Sequence, residues 1–335
     1  MRIRHALPPS KKRAGGWRLN RLSLIPALMA LIGVTMFLYP EVAAWLTQYN
    51  QSQIIAEYET RVNNSEPAAA EQLQQARRYN DALSAGAVLD ANANKPRGTG
   101  TSVTELLDYN HQLRASETGL MARLRIPKIN LDMPVYHGTD EDTLLAGAGH
   151  LEGTSLPVGG IGTRTVITAH RGLAEAEMFT HLDKVEIDDT FSVEVFGEVL
   201  TYKVINTEVI EPDKTEAIKA KVDQDLATLI TCTPLGINSH RILVTGERIL
   251  PTPTEELNLK GAKPEVPFFP WWIVYYAVAL VFIAFYIWWA GRPAKKTAAT
   301  TTKPCGNAGS HIATPCGNAD SRIDEDQDKE DKATP

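Results

Sequence analysis

Two stretches of this chain contain no charged residue, and they decide much of what it can fold into. Residues 268–290 form the longer one, 23 residues with aromatic rings at both ends: Phe268, Phe269, Trp271 and Trp272, then Trp288 and Trp289. As a helix it covers roughly 34 Å, enough for a bilayer core, with the rings at headgroup depth. A buried helix of a soluble protein is rarely so long and so uninterrupted. Residues 22–39 form the second stretch, 18 residues long, behind a segment 1–21 with seven Lys and Arg and no acid. That pattern suits a signal peptide or an uncleaved anchor. The run exceeds a usual signal core and no small-x-small cleavage site follows, which favours the anchor. All six tryptophans flank the two runs.

Basic residues precede the first run, and Arg292, Lys295 and Lys296 follow the second, whereas Glu41, Glu57 and Glu59 follow the first. The bias of Lys and Arg predicts a two-pass plasma-membrane protein with both termini cytoplasmic and residues 40–267 outside. The expected division is a basic segment 1–21, an anchor 22–39, helices and a lid-like loop 40–119, a β domain 120–250, a linker 251–267, a membrane helix 268–290 and a tail 291–335. The tail repeats Pro-Cys-Gly-Asn-Ala at 304–308 and 315–319 and ends in acidic residues. Cys305 and Cys316, with His311 as a doubtful third ligand, fall short of a metal site, so the tail reads as disordered and no metal or other cofactor is expected. A net charge of −6 argues against a nucleic-acid binder, and three cysteines cannot make a disulfide scaffold.

Within the outer region, residues 41–89 are rich in Ala, Gln and Glu and read as helix, broken near Pro67. Residues 90–102, with Asn, Gly, Thr and Pro96, read as a flexible loop. From Met121 onward the texture changes to short β-branched runs at 123–126, 131–135, 163–168, 190–196, 199–206, 226–232 and 241–249, with Gly197-Glu198 as a tight turn. Seven or eight short strands point to a mainly β domain, a closed barrel or a sandwich.

Cys232 is the one cysteine of the outer region. An unpaired thiol facing outward is either a buried, inert residue or a reactive one. It ends the apolar run Thr228-Leu229-Ile230-Thr231-Cys232, is followed by the turn former Thr233-Pro234-Leu235-Gly236, and precedes Arg241 at the head of the next run. Two antiparallel strands joined by that loop place Cys232 and Arg241 side by side, where a guanidinium can favour thiolate or hold an oxyanion. A base is also needed, since a free thiol is only a few per cent ionised at neutral pH. Of the outer histidines His111, His137, His150, His170, His181 and His240, His170 ends a strand run and opens into Arg171-Gly172-Leu173, as a barrel-rim residue would. His240, in a loop beside Arg241, is expected to be exposed.

These residues match a family. The run Thr228 to Cys232 with Arg241 resembles the TLxTC…R signature of sortases, membrane-anchored cysteine transpeptidases of Gram-positive surfaces. The likeness extends over Leu124-Arg125-Ile126-Pro127-Lys128-Ile129, Val135-Tyr136-His137-Gly138-Thr139, the run from Gly149 to Pro157, Thr168-Ala169-His170-Arg171-Gly172-Leu173 and Thr233-Pro234-Leu235-Gly236-Ile237-Asn238. With the second apolar run it looks like the pilus-assembling class C branch. The resemblance implies a closed eight-stranded sortase-type β-barrel with N-terminal helices, flanked by two transmembrane helices. It also implies Cys232 as nucleophile, His170 as general acid/base and Arg241 as stabiliser. Thr231, next to the thiol, is the candidate substrate contact. The implied substrates are LPxTG-bearing pilin or surface proteins, and the acceptor is a pilin Lys or a cell-wall precursor amine. Class C enzymes commonly carry an Asp-Pro-aromatic lid. Here the loop has Asp90 but no Pro behind it, and no aromatic residue lies between Asn80 and Asp108. Asp90 is therefore the lid candidate, expected to cross the groove toward Arg241 without an aromatic plug.

Four other readings compete. A peptidoglycan L,D-transpeptidase also pairs an external Cys with His, but places His and Gly just before the Cys, where this chain has Ile230-Thr231. A papain-like protease carries its Cys early and on a helix. A membrane-tethered scaffold with a sortase-like barrel needs none of Cys232, His170 and Arg241. Finally, Leu250-Pro251-Thr252-Pro253 lacks the LPxTG pattern, so the last apolar run is not itself a sorting signal.

Overall fold

The computed structural model describes residues 17–83, 87–88, 97–98, 108–174 and 176–292. The first long element, α1 (Leu24–Asn63), runs for 40 residues, about 60 Å. The expected anchor and the first outer helix are thus one continuous helix, passing straight through Pro40. Proline keeps a helical φ and forfeits one hydrogen bond, and the turns on either side carry the helix across the gap. The expected break near Pro67 is present, between α1 and α2 (Ala69–Ala82). Both helices dock on the β domain through apolar side chains and a few polar groups. Tyr58 of α1 donates to the Met121 carbonyl at 2.9 Å and accepts from the Phe196 amide at 3.0 Å. Asn80 of α2 pairs with both backbone groups of Leu156.

Two short strands, β1 (Ala87–Val88) and β2 (Arg97–Gly98), pair antiparallel across the proposed lid loop. Asp90 lies outside the described residues, as do Cys305, His311 and Cys316.

The β domain is a closed barrel of eight strands. They are β3 (Leu120–Ile126), β4 (Leu131–His137), β5 (Ala148–His150), β6 (Thr163–Thr168), β7 (Thr190–Val195), β8 (Glu198–Ile210), β9 (Asp225–Thr233) and β10 (His240–Arg248). Around the barrel the order is β10-β8-β7-β3-β4-β5-β6-β9. Pairing is antiparallel except for β4 with β5 and β6 with β9. Closure removes every free edge, so the buried apolar residues of alternate positions, among them Leu124, Ile126, Val193, Leu200, Leu229 and Val244, form one interior. The turn between β7 and β8 is Phe196-Gly197, one residue earlier than expected, and both residues have positive φ (44° and 85°), the geometry that matches strand twist in a two-residue hairpin.

The short helix α3 (Glu141–Ala146) leads into β5, a strand the sequence does not announce, because Ala148-Gly149-His150 holds no β-branched residue. Its glycine is required by space: a Cβ on Gly149 would lie 2.2 Å from the Gly138 carbonyl oxygen and 3.1 Å from Leu144. Gly149→Ala is therefore expected to destabilise the fold by about 2 kcal/mol. Thermal unfolding of the full chain in detergent should show the midpoint falling by roughly 5 °C.

After β10 comes a linker with the short helix α4 (Thr254–Asn258), then α5 (Trp271–Ala290). Both α5 and the helical segment that contains α1 are long and apolar enough, by length and composition, to cross a membrane. The two pack together. Trp17 Nε1 donates to the Trp288 carbonyl at one end, Trp45 Nε1 to the Phe268 carbonyl at the other, and Thr35 meets the Tyr276 hydroxyl at 3.2 Å between them. The linker is fastened to the outer wall of the barrel. Arg123 of β3 makes two hydrogen bonds to Asp132, an ion pair to Glu194 and a bond to the Ala262 carbonyl, while the Gly261 amide donates to Glu194 and Arg125 pairs with Glu256.

Candidate active site

Strands β6 and β9 run parallel, with Thr168 opposite Ile230, so both leave the barrel at the same rim. His170 and Cys232 each lie two residues further on, and the register brings them level. Strand β10 enters at this rim in the opposite direction and pairs Arg241 directly with Cys232. Barrel closure thus collects onto one rim three residues that are dispersed along the chain. All three are buried, with Arg241 only 1% exposed.

Backbone and hydroxyl contacts rivet the strand ends. Thr168 Oγ1 and the Ala169 amide both donate to the Ile230 carbonyl, and Thr231 Oγ1 donates to the Ala169 carbonyl at 2.8 Å. Thr231 is the residue expected to contact substrate. It is buried, on the face of β9 opposite Cys232, and its hydroxyl is engaged in holding the turn that carries His170. Arg171 ties the same turn down, donating to Thr233 Oγ1 at 2.8 Å and to the Thr180 carbonyl, with Asp183 at 3.0 Å. The Phe179 amide closes the loop onto the His170 carbonyl. On the other side Arg241 Nη1 donates to the carbonyls of Asn238 and His240, bracing the loop between β9 and β10.

The remaining histidines sort by burial. His150 is enclosed, with Nε2 2.9 Å from the Ser155 carbonyl and Nδ1 3.0 Å from the Tyr109 hydroxyl, and burial pushes it down to about 4. His137 lies between the carbonyls of Gly119 and Gln112. Both are structural. His240 is exposed, as its loop position predicts, and bonds to Ser239.

Burial pushes the Cys232 thiol up and the positive charge of Arg241 pulls it back. Burial pushes the His170 imidazole down, against the nearby carboxylate of Glu141. Both dominant effects favour neutral thiol beside neutral imidazole, a pair able to exchange one proton when the sulfur attacks a carbonyl. Among the described residues no His, Cys, Asp and Glu cluster could hold a metal ion.

The sequence model of the sortase domain matches residues 124–249, from within β3 to just beyond β10. Sortase C of Streptococcus pneumoniae, whose structure was described in terms of catalysis and pilin substrate specificity, is 39% identical. The match covers 59% of this chain and 96% of that one, with a TM-score of 0.51. The chain belongs to the sortase family. Sortase C1 of Streptococcus agalactiae is 35% identical over 60% of this chain and all of its own length (100%), with a TM-score of 0.52. Sortase D of Bacillus subtilis is 28% identical over 162 residues, 79% of its length. This sortase is accordingly a cysteine transpeptidase, and Cys232, His170 and Arg241 all lie inside the matched domain.

One residue at the sortase rim escapes sequence reasoning. Glu141, in the first turn of α3, brings Oε1 to 3.4 Å from His170 Nε2. It looks like any helix-starting acid, and only the pairing of β4, β5 and β6 carries it to His170.

Proposed function

We propose that this sortase is a class C enzyme that joins pilin or surface proteins through a thioester on Cys232. The observation that carries the reading is the cross-strand pairing of Cys232 with Arg241 at the rim where β6 delivers His170. Substrates of the family are protein sorting signals, and the LPxTG type fits the resemblance. The sortase C relatives support the pilus branch. The thiol gives its proton to His170 as sulfur attacks the Thr carbonyl carbon, and Arg241 supports the oxyanion. The C–N bond to Gly then breaks and His170 returns the proton to the departing amine. An incoming amine, a pilin Lys or a cell-wall precursor, attacks the thioester. The C–S bond breaks, an amide forms, and the amine's proton returns the sulfur to thiol. The two apolar helices anchor the enzyme in the plasma membrane, with the barrel outside and both tails in the cytoplasm. Asp90 belongs to a loop proposed to cross the site.

Full-length enzyme in detergent, incubated with an LPxTG peptide, is expected to show a mass increase equal to the acyl fragment, mapped to Cys232. A folded enzyme that never acquires it would favour a non-catalytic barrel. The pH profile has a set form. Below the His170 pKa the ring is protonated and cannot accept the thiol proton; above the Cys232 pKa the proton needed by the leaving amine is gone. Burial shifts the first down and the second up. The kcat/KM profile should be a broad bell, its acid limb below the ordinary histidine value of 6.5 and its alkaline limb above the ordinary thiol range. An acid limb above 6.5 would contradict this environment.

A further inference from the structure

The carboxylate of Glu141 is half exposed, yet it lies against a ring that is almost wholly buried: the side chains are 53% and 5% accessible, with 3.4 Å between Oε1 and Nε2. Among the described residues that buried nitrogen makes no hydrogen bond of good geometry, so Glu141 meets it as an ion-pair approach rather than a formed bond. The carboxylate is presented by a built element. Asp140 caps α3, accepting from the Thr143 amide and hydroxyl at 3.0 Å each, and the wholly buried Leu144 anchors the helix to the barrel. The backbone before it is held by the Tyr109 hydroxyl, which accepts from the Gly138 amide at 2.9 Å.

We propose that Glu141 is a positioning residue for the reaction: it holds the Nε2 edge of His170, selects the tautomer that offers Nδ1 to the thiol, and supports positive charge on the ring during proton transfer. A histidine presents its two nitrogens differently according to which one is hydrogen-bonded. A carboxylate at Nε2 keeps the proton there and leaves Nδ1 as the acceptor. Among the described residues, the charged and titratable groups at this rim include Glu141 from α3, Cys232 from β9, Arg241 from β10 and Arg171 next to His170 in the chain. Arg171 is turned to Asp183 and Thr233. Glu141 is thus the group opposed to the ring's buried environment. The inference rests on the assignment of Cys232 and His170 as the reacting pair.

The test is Glu141→Gln in the full-length enzyme, with the kcat/KM pH profile for peptide cleavage read against wild type. The reactive thiolate–imidazolium form becomes scarcer as the histidine becomes less basic, so the plateau should drop. The acid limb should move to lower pH by the matching amount, and the alkaline limb should stay. Solvent screening of a half-exposed carboxylate limits the drop to about three- to tenfold. A merely structural contribution would lower the plateau without moving the limb. Glu141→Asp, which keeps the charge, should recover part of both effects, whereas Asp142→Asn on the same helix should change neither. An unchanged Glu141→Gln profile, or a fall with a fixed acid limb, overturns the inference. If wild type itself forms no acyl-enzyme, the functional assignment is what fails.

Discussion

Cys232→Ala is expected to abolish the acyl-enzyme and reduce peptide cleavage by about 10⁴-fold or to background, because Cys232 is the one cysteine among the described residues and a thioester needs its sulfur. The side chain is small and buried beside the Arg241 strand, so the variant should unfold within a few degrees of wild type. Cys232→Ser should be nearly as inactive. A hydroxyl is a far weaker acid than a thiol and a poorer nucleophile, so it gives up its proton to the same imidazole much less readily. Mass mapping of the acylated peptide supplies the control, since Cys305 and Cys316 remain in every variant. Acylation persisting in Cys232→Ala would move the nucleophile elsewhere.

The second large effect concerns stability. Arg123→Met should cost about 3–5 kcal/mol, because it removes one partner from a desolvated ionic cluster and leaves the others behind. Asp132 would lose both hydrogen bonds from Arg123, Glu194 its ion pair and the Ala262 carbonyl its donor. Burial already pushes the Glu194 carboxyl up, and without Arg123 only the Gly261 amide and the charge of Arg125 would oppose that push. In thermal unfolding the midpoint should drop by about 10 °C. Arg77→Met gives the contrast. Its pair with Glu198 is as short, 2.6 Å, but the side chains are 47% and 41% exposed, and the loss should stay below about 1 kcal/mol. Equal losses in the two variants would show that burial is not what gives the Arg123 cluster its weight.

Alternating β-branched runs made most of the barrel readable, and β6, β9 and β10 emerge close to their expected bounds. Those are the strands that position Cys232, Arg241 and His170, which strand-end placement suggests and the family resemblance then names. What stayed hidden has physical causes. Strand β5 is three small or polar residues whose identity is set by the space beside Gly138, a tertiary demand with no local signature. The anchor and the first outer helix read as separate elements, but the turns around Pro40 continue one helix through it. The bond from Thr231 to the Ala169 carbonyl, which braces the turn of His170, depends on strand pairing and has no local signature. Glu141 is invisible for a related reason, since its partner is chosen by strand order rather than by nearness in the chain.

The linker fastened by Arg123 and Arg125 has a mechanical consequence. A barrel hung from one stalk could swivel, and its opening would sweep through every azimuth. Here α1 and the strapped linker both hold the barrel, and their roots are clasped by Trp45 against the Phe268 carbonyl. Two attachments in place of one restrict how far the rim bearing Cys232 can turn about the helix pair.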